Sequence, residues 1–460
     1  MEKEMNKERL GTEPLGRLMV SLAVPAVAAQ LINVLYNIVD RIYIGHIRGY
    51  GDIALTGVGV TFPIIMLISA FSAFAGMGGA PLASIELGKK DIRKAEQILG
   101  NSAGMIVLFS IVLTIGFSIF KTPVLYAFGA SEVTIGYAES YIGIYLVGTI
   151  FVQIAVGLNT FISGQGESKV AMLSVVIGAL LNICLDPVLI FVLDMGVKGA
   201  ALATVVSQAV SAAWVIRFLT SKRSSMKLKT EHMRLKKEIV VRIAGLGVSP
   251  FIMQSTESMV GITLNSGLQN YGGDLYVGTM SIMTSIMQLI LIPVQGISQG
   301  VQPIISYCYG AGDKDRVKGT FTRLLISGLL GTLILGGVAV LAPGVYAGIF
   351  TSNEDLIRLT CQVMPVYFFG ITIFGLQSAC QSTFLALGQA KVSLFIALLR
   401  KVILLIPLAV IFPKFMGVMG VYRAEPVADI ISVVTTCVLF VLTMRKVLRN
   451  MDNDQKEAVN

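Results

Sequence analysis

Gln30, Asn33, Asn37 and Asp40 stand three, four and three residues apart, so on a helix they form one polar stripe ending in a carboxylate. They lie in "QLINVLYNIVDRIYIG", a stretch otherwise apolar enough to stay in lipid. A second constellation is "NICLDP", which puts Asn182 and Asp186 four apart on one helix face, with Pro187 freeing a backbone carbonyl beside them. Thr204, in "ALATVVS", opens the next apolar segment. A carboxylate, an amide oxygen, a hydroxyl and freed carbonyls are hard oxygen donors of the kind that hold Na⁺ or a proton. The bland alternatives are an interfacial Asp40 paired with Arg41, and a hydrogen-bonded kink at Asn182–Asp186.

The second half of the chain has its own polar groups. Gln254 and Glu257 share helical spacing, with Asn265 two turns on, and Arg400 stands in mid-run with Glu257, Glu425 and Asp429 as available acids. An ionised side chain at membrane depth costs at least ~2.5–3.5 kcal/mol, so each of these must face a cavity or a partner. Met280, Met283 and Met287 share a face beside Gln288, and methionine adapts to varied shapes, which suits a promiscuous pocket as well as ordinary core.

The elements that must carry these groups are membrane helices. Of the 460 residues 54% are hydrophobic and 14% charged, and the mean hydropathy is +0.77. Soluble domains carry roughly 25% charged residues. Apolar runs fall at about 17–40, 53–78, 97–120, 134–158, 169–193, 197–219, 239–266, 276–303, 321–343, 359–386, 392–413 and 419–444, twelve in all. Barrel strands would instead be about 10 residues long with a period of two. The first run is read as a retained helix, not a signal peptide. Five scattered cysteines without a CxxC pair, and two histidines, speak against a zinc or haem site and against a disulfide framework.

With both termini cytoplasmic, the inside segments hold 27 of the 36 Lys and Arg and the outside loops 7. That bias sets the orientation and accounts for the net charge of +9 without any nucleic-acid partner. The largest basic cluster, "SKRSSMKLKTEHMRLKK", reads as a positive-inside linker, with an anionic-lipid contact as the functional alternative. The expected divisions are a six-helix lobe over 1–219, a basic linker over 220–237, a second six-helix lobe over 238–450 and a polar cytoplasmic tail over 451–460.

The two lobes repeat. Gly51-Asp52 matches Gly273-Asp274, Gly88 and Asp91 match Gly310 and Asp313, and Gly166, Lys169 and Val170 match Gly388, Lys391 and Val392, all at an offset of 222. Gly196, Gly199 and Ala203 match Gly417, Gly420 and Ala424 at 221, and Pro25 matches Pro250 at 225. An even helix number gives both lobes one orientation, so they should be related by a pseudo-twofold axis along the membrane normal with a cavity between them. The fold expected is an all-α membrane protein of transporter type.

The motifs resemble those of the multidrug and toxic compound extrusion (MATE) family. "PVQGISQGVQPIISYCYGAGDKDRVK" is similar to the eighth-helix signature of that family, and "AGMGGAPLASIELGKKDIRKAEQILGN" is its first-half counterpart. "NTFISGQGESKVAMLSVVIGALLNICLDPVLIF", "GVKGAALATVVS", "STFLALGQAKVSL" and "LLRKVILLIPL" resemble its fifth, sixth, tenth and eleventh helices. The resemblance spans essentially the whole chain and is nearest the branch with MepA-like pumps. Cys308 departs from it, where related sequences often carry Asn.

The resemblance implies efflux of cationic amphipathic compounds, and so antibiotic resistance, driven by H⁺ or Na⁺ antiport between outward- and inward-open forms. It carries a cation-coupling site onto Asp40, Asn182, Asp186 and Thr204, with Tyr36 and Tyr141 as further members. Gln30, Asn33, Asn37, Gln254, Glu257, Met280, Met283, Met287, Gln288 and Arg400 are the expected substrate-cavity residues. No cofactor, no structural metal, a bacterial-type plasma or inner membrane, contact with membrane lipids and a monomer are expected. The runner-up is a lipid-linked oligosaccharide flippase, which should line its cavity with Arg and Lys to grip pyrophosphate. A membrane-embedded enzyme is disfavoured, because no loop carries a Walker sequence, HExxH or paired acids beside a nucleophile.

Overall fold

The structure is a computed structural model that describes residues 9–350 and 353–459, with side chains through 349 and from 353 to 453. Among the described residues there is no strand. Among the described residues ten helices are each long and apolar enough to cross a membrane: α1 Leu15–Gly45, α2 Gly51–Gly88, α3 Ile92–Ala127, α5 Ser168–Val192, α6 Gly196–Thr220, α7 Lys237–Gly272, α8 Asp274–Gly310, α9 Lys314–Leu341, α11 Ala390–Met416 and α12 from Val418. Two bent pairs meet the same test together: α4, Ile135–Val147 with Thr149–Gly164 at 62°, and α10, Glu354–Tyr367 with Gly370–Ala386 at 45°. Counted as one span each, they bring the number to twelve. The tail expected over 451–460 continues α12 in helical form to Val459.

The sequence repeat is also a repeat of bonds. Asp91 caps α3 by accepting from the Lys94 amide at 3.0 Å, and Asp313 caps α9 from the Arg316 amide at 3.0 Å. That amide holds the exposed Asp91 carboxyl below its usual range. The residue before each cap lies in the left-handed region, Lys90 at φ 62° and Gly312 at φ 76°, so the first turn tolerates a side chain where the second uses glycine. Ser84 Oγ donates to the Gly164 carbonyl at 2.6 Å, and its counterpart Ser306 Oγ to the Ala386 carbonyl at 2.9 Å. Asn159 Nδ2 donates to the Ala171 carbonyl at 3.2 Å, and Gln381 Nε2 to the Ser393 carbonyl at 3.1 Å. All four bonds tie one helix to another, and in each pair both partners are offset by 222.

The bends repeat as well. Gly148 and Gly370, again 222 apart, sit at the breaks of α4 and α10. A Cβ on Gly148 would lie 2.7 Å from Val205 Cγ1 of α6, and one on Gly370 would lie 2.9 Å from Pro426 Cα of α12. Each bend therefore lets the broken helix press directly onto the last helix of its own half.

The chain forms two compact units. One comprises Arg9 with Ala28–Gln254, the other Leu10–Val27 with the chain from Ser255 onward. The divisions fall inside α1 and α7, two and four residues after Pro25 and Pro250, and not at the basic linker where the order of helices along the sequence puts them. Each proline removes one ladder bond from its helix, which makes the helix easiest to reassign there. The linker is fixed to the first unit. Glu96 Oε1 accepts the Lys227 amide at 3.1 Å, Asn101 Oδ1 the Lys236 amide at 2.7 Å, and Gln165 Oε1 the Ser225 amide at 2.7 Å. Glu96 also pairs with Lys229 at 2.6 Å, and that hydrogen bond holds the ammonium above its usual range.

Candidate functional site

In the first unit the sequence pattern of α1, α5 and α6 converges. Asp40, near the end of α1, is buried, as are Asn182 and Asp186 on α5 and Thr204 on α6. Asn182 Nδ2 donates to Asp186 Oδ1 at 3.3 Å and approaches Thr204 Oγ1 at 3.5 Å. The Asp40 and Asp186 carboxyl groups face each other within electrostatic and hydrogen-bonding reach, and the Tyr141 hydroxyl reaches Thr204. Tyr36 reaches Asn37 and Gln208, with both acids nearby. Gln208, one turn beyond Thr204, is a further neighbour, and its i+4 spacing is the sequence signal that places it on the same face.

Three oxygens in this cluster are buried and make no hydrogen bond: Asp40 Oδ1, Asn182 Oδ1 and Asp186 Oδ2. Buried acceptors left unsatisfied are costly, and two facing carboxylates in low dielectric repel. A proton or a small cation between them removes both penalties. The donor set of two carboxylates, an amide oxygen and a threonine hydroxyl suits Na⁺ as well as H⁺. Arg41, the alternative partner of Asp40, lies over the Phe62 ring at 5.4 Å and is also within electrostatic reach of the Asp40 carboxyl. Of the stripe itself, Gln30 is half-buried, while Asn33 and Asn37 are exposed, with Asn37 Nδ2 donating to the Asn33 carbonyl at 2.6 Å.

In the second unit the acids and bases close on one another. Arg400 donates from Nε to Asp429 Oδ1 at 2.7 Å and from Nη2 to Glu425 Oε1 at 2.9 Å, and its guanidinium lies 4.4 Å from the Phe374 ring centroid. Its side chain is 12% exposed, so Arg400 is enclosed by these partners and does not line an open cavity as expected. The adjacent Lys401 pairs with Glu257. Both bases lie in a π-helical stretch, Leu399–Leu405, a distortion that often marks functional positions. In the first half, at an offset of 221, Glu425 and Asp429 correspond to Thr204 and Gln208. The two halves thus use one pair of positions differently: neutral donors beside a cluster with open oxygens in the first, acids filled by a tethered cation in the second.

The methionine face splits. Met283 is fully buried in the apolar core of the second unit and is unavailable to line a cavity, because it packs inward with Ile286 and Ile290. Met280 is buried too, but it borders a recess of about 300 Å³ together with Gly261, Leu264, Asn265, Ser281 and Thr284. Met287 is half-buried against the same core and Gln288 is exposed. Gln254 is half-buried, with its Oε1 making no hydrogen bond.

Comparison with known proteins places this geometry. The MatE family pattern matches residues 25–188 and 250–411, one match in each half. The Multidrug export protein MepA of Staphylococcus saprophyticus is 26% identical over 436 residues, covering 94% of both chains. The protein of the same name from Staphylococcus haemolyticus is 24% identical over 434 residues, again 94% of both. A crystal structure of MATE in the bent conformation superposes with a TM-score of 0.90 at 21% identity, over 97% of this chain and 99% of that one. An outward-facing multidrug resistance MATE family transporter of the MOP superfamily gives 0.88 at 21%, over 96% and 99%. At that identity the likeness carries the fold alone.

Proposed function

The chain belongs to the MatE family, and from that membership we propose that it exports amphipathic monocations by antiport of H⁺ or Na⁺. The observation that carries the reading is the trio of buried open oxygens on Asp40, Asn182 and Asp186. The coupling ion enters this site and neutralises the facing carboxylates, and α1 repacks beyond Pro25 in response. Ion and cargo favour different states of one alternating protein, so each lowers the other's affinity. Glu257 and the recess beside Met280 receive the cargo. The names borne by the MepA relatives support multidrug export. A pyrophosphate-gripping flippase is disfavoured, because Arg400 and Lys401 are both committed to acids. Both termini are assigned to the cytoplasm, in a multi-pass plasma or inner membrane, and a single copy suffices because it carries both units.

Proteoliposomes loaded with an ethidium-type dye, energised separately by a pH or a Na⁺ gradient, test the reading and identify the ion. Asp40→Asn and Asp186→Asn should each abolish gradient-driven efflux while leaving dye binding intact. The double variant should be little worse than either single one, since all three break one site. Near-normal efflux in both single variants, with Glu257→Gln inactive, would move coupling to the second unit.

A further inference from the structure

The Lys401–Glu257 pair is lopsided. The Glu257 side chain is 65% exposed, whereas that of Lys401 is 10% exposed, so the base reaches outward from the interior to an acid on the unit's surface. Behind Lys401 lies a second acid, Glu425, within electrostatic reach of the ammonium. Among the described residues, the ion pairs of the cluster join three acids, Glu257, Glu425 and Asp429, to two bases, and Asp429 Oδ2 is buried without a hydrogen bond. Taken as ionised, it is one positive charge short.

The exposed end of the cluster adjoins an apolar shelf. Gly261 is one turn beyond Glu257 on the same face of α7, and it borders the 300 Å³ recess with Leu264 and Met280. A volume of that size is at the lower end of small-molecule sites. A monocation whose charge sits on Glu257 can lay its apolar body along that recess.

We infer that Lys401 is a tethered competitor of the cargo, holding the Glu257 carboxylate until an amphipathic cation displaces it toward Glu425. The exchange keeps the ammonium beside a carboxylate throughout, and the cargo supplies the missing positive charge. It makes the second unit selective, because an apolar neutral compound or an anion gains nothing from moving the lysine. An empty carrier, in turn, keeps its cargo carboxylate satisfied. At an offset of 222 the first half has Gly178 and Ala179 where Arg400 and Lys401 stand, so this device belongs to the second half alone.

The inference rests on the cationic-cargo reading, and the experiment separates the two. Ethidium binding to the purified full-length protein is measured by fluorescence anisotropy in the parent, Lys401→Met, Lys401→Arg and Glu257→Gln/Lys401→Met. Lys401→Met should bind about tenfold more tightly than the parent, which is ~1.4 kcal/mol. Lys401→Arg should bind no more tightly, and the double variant should lose the gain. A second arm uses Lys401→Ala, in which free butylammonium should compete with ethidium, while the parent should be insensitive to it. Equal affinity in parent and Lys401→Met, together with no butylammonium effect in Lys401→Ala, overturns the competitor role and leaves the cargo reading standing. Failure of every variant and the parent to bind ethidium overturns both.

Discussion

Replacing Arg400 by methionine should destabilise the second unit far more than a typical buried substitution. The change removes a guanidinium held at 2.7 and 2.9 Å by side chains of 1% and 5% exposure, and strands Asp429 and Glu425 without it. Removing one partner of a buried ion pair costs about 3–5 kcal/mol, chiefly as the penalty of the charge left behind. Lost stacking on Phe374, at 4.4 Å, adds up to ~2 kcal/mol. For a unit of this size each kcal/mol is worth about 2–4 °C, so the apparent Tm should fall by roughly 6–20 °C from the ionic part alone. Unfolding can be followed with a thiol-reactive fluorophore, since Cys308 and Cys380 are buried in this unit, once the exposed Cys184 and the partly exposed Cys361 and Cys437 are changed to serine. The decisive comparison is with Arg400→Met/Glu425→Met/Asp429→Leu, which removes all three charges and should recover most of the loss. If the single variant melts within about 2 °C of the triple one at the same scan rate, the acids were never stranded as charges and the reasoning fails.

Two further expectations follow from the linker and the charge bias. Asn101→Ala removes two of the bonds that clasp the linker, to the His232 carbonyl at 3.1 Å and from the Lys236 amide at 2.7 Å. A local loss of ~1–2 kcal/mol should speed tryptic cleavage between Lys222 and Lys237 by roughly 5- to 30-fold, and an unchanged rate would deny the clasp. In a cysteine-free background, Lys222→Cys should react with an impermeant thiol reagent only from the cytoplasm and Asp274→Cys only from outside, and the opposite pattern would reverse the orientation.

The helix inventory was legible because a span needs only length and hydropathy, and the register of turn residues needs only counting. The bends were not. Gly148 and Gly370 are two of 47 glycines, and what singles them out is the approach of Val205 and Pro426, which no one-dimensional pattern contains. The Asn182–Asp186 pair was readable from one helical turn and a proline, and Thr204 from the segment after it. Gln208 was not legible as a site residue, because its place beside Tyr36 depends on how α1 and α6 pack. Arg400 had three acids open to it, and the i+4 spacing of Glu425 and Asp429 is what lets one fork engage both. The linker looked like a tether because its composition is basic. Its fixation depends on single acceptors, Glu96, Asn101 and Gln165, that lie 60 to 135 residues away.

The assignment of Leu10–Val27 to the second unit bears on how the protein is made. These residues emerge from the ribosome long before the rest of their unit, yet Leu10, Leu18 and Leu22 pack in a core with Val301, Ile304 and Met444. At about 5–20 residues per second the last of those partners follows roughly 20–80 s later. Once the first unit is made, the second half of this helix has its partners there, while Leu10–Val27 still awaits its own core. A chain halted after the linker would hold every helix of the first unit up to α6 and still display the apolar face of Leu10–Val27, the kind of signal by which membrane quality control can recognise an incomplete product.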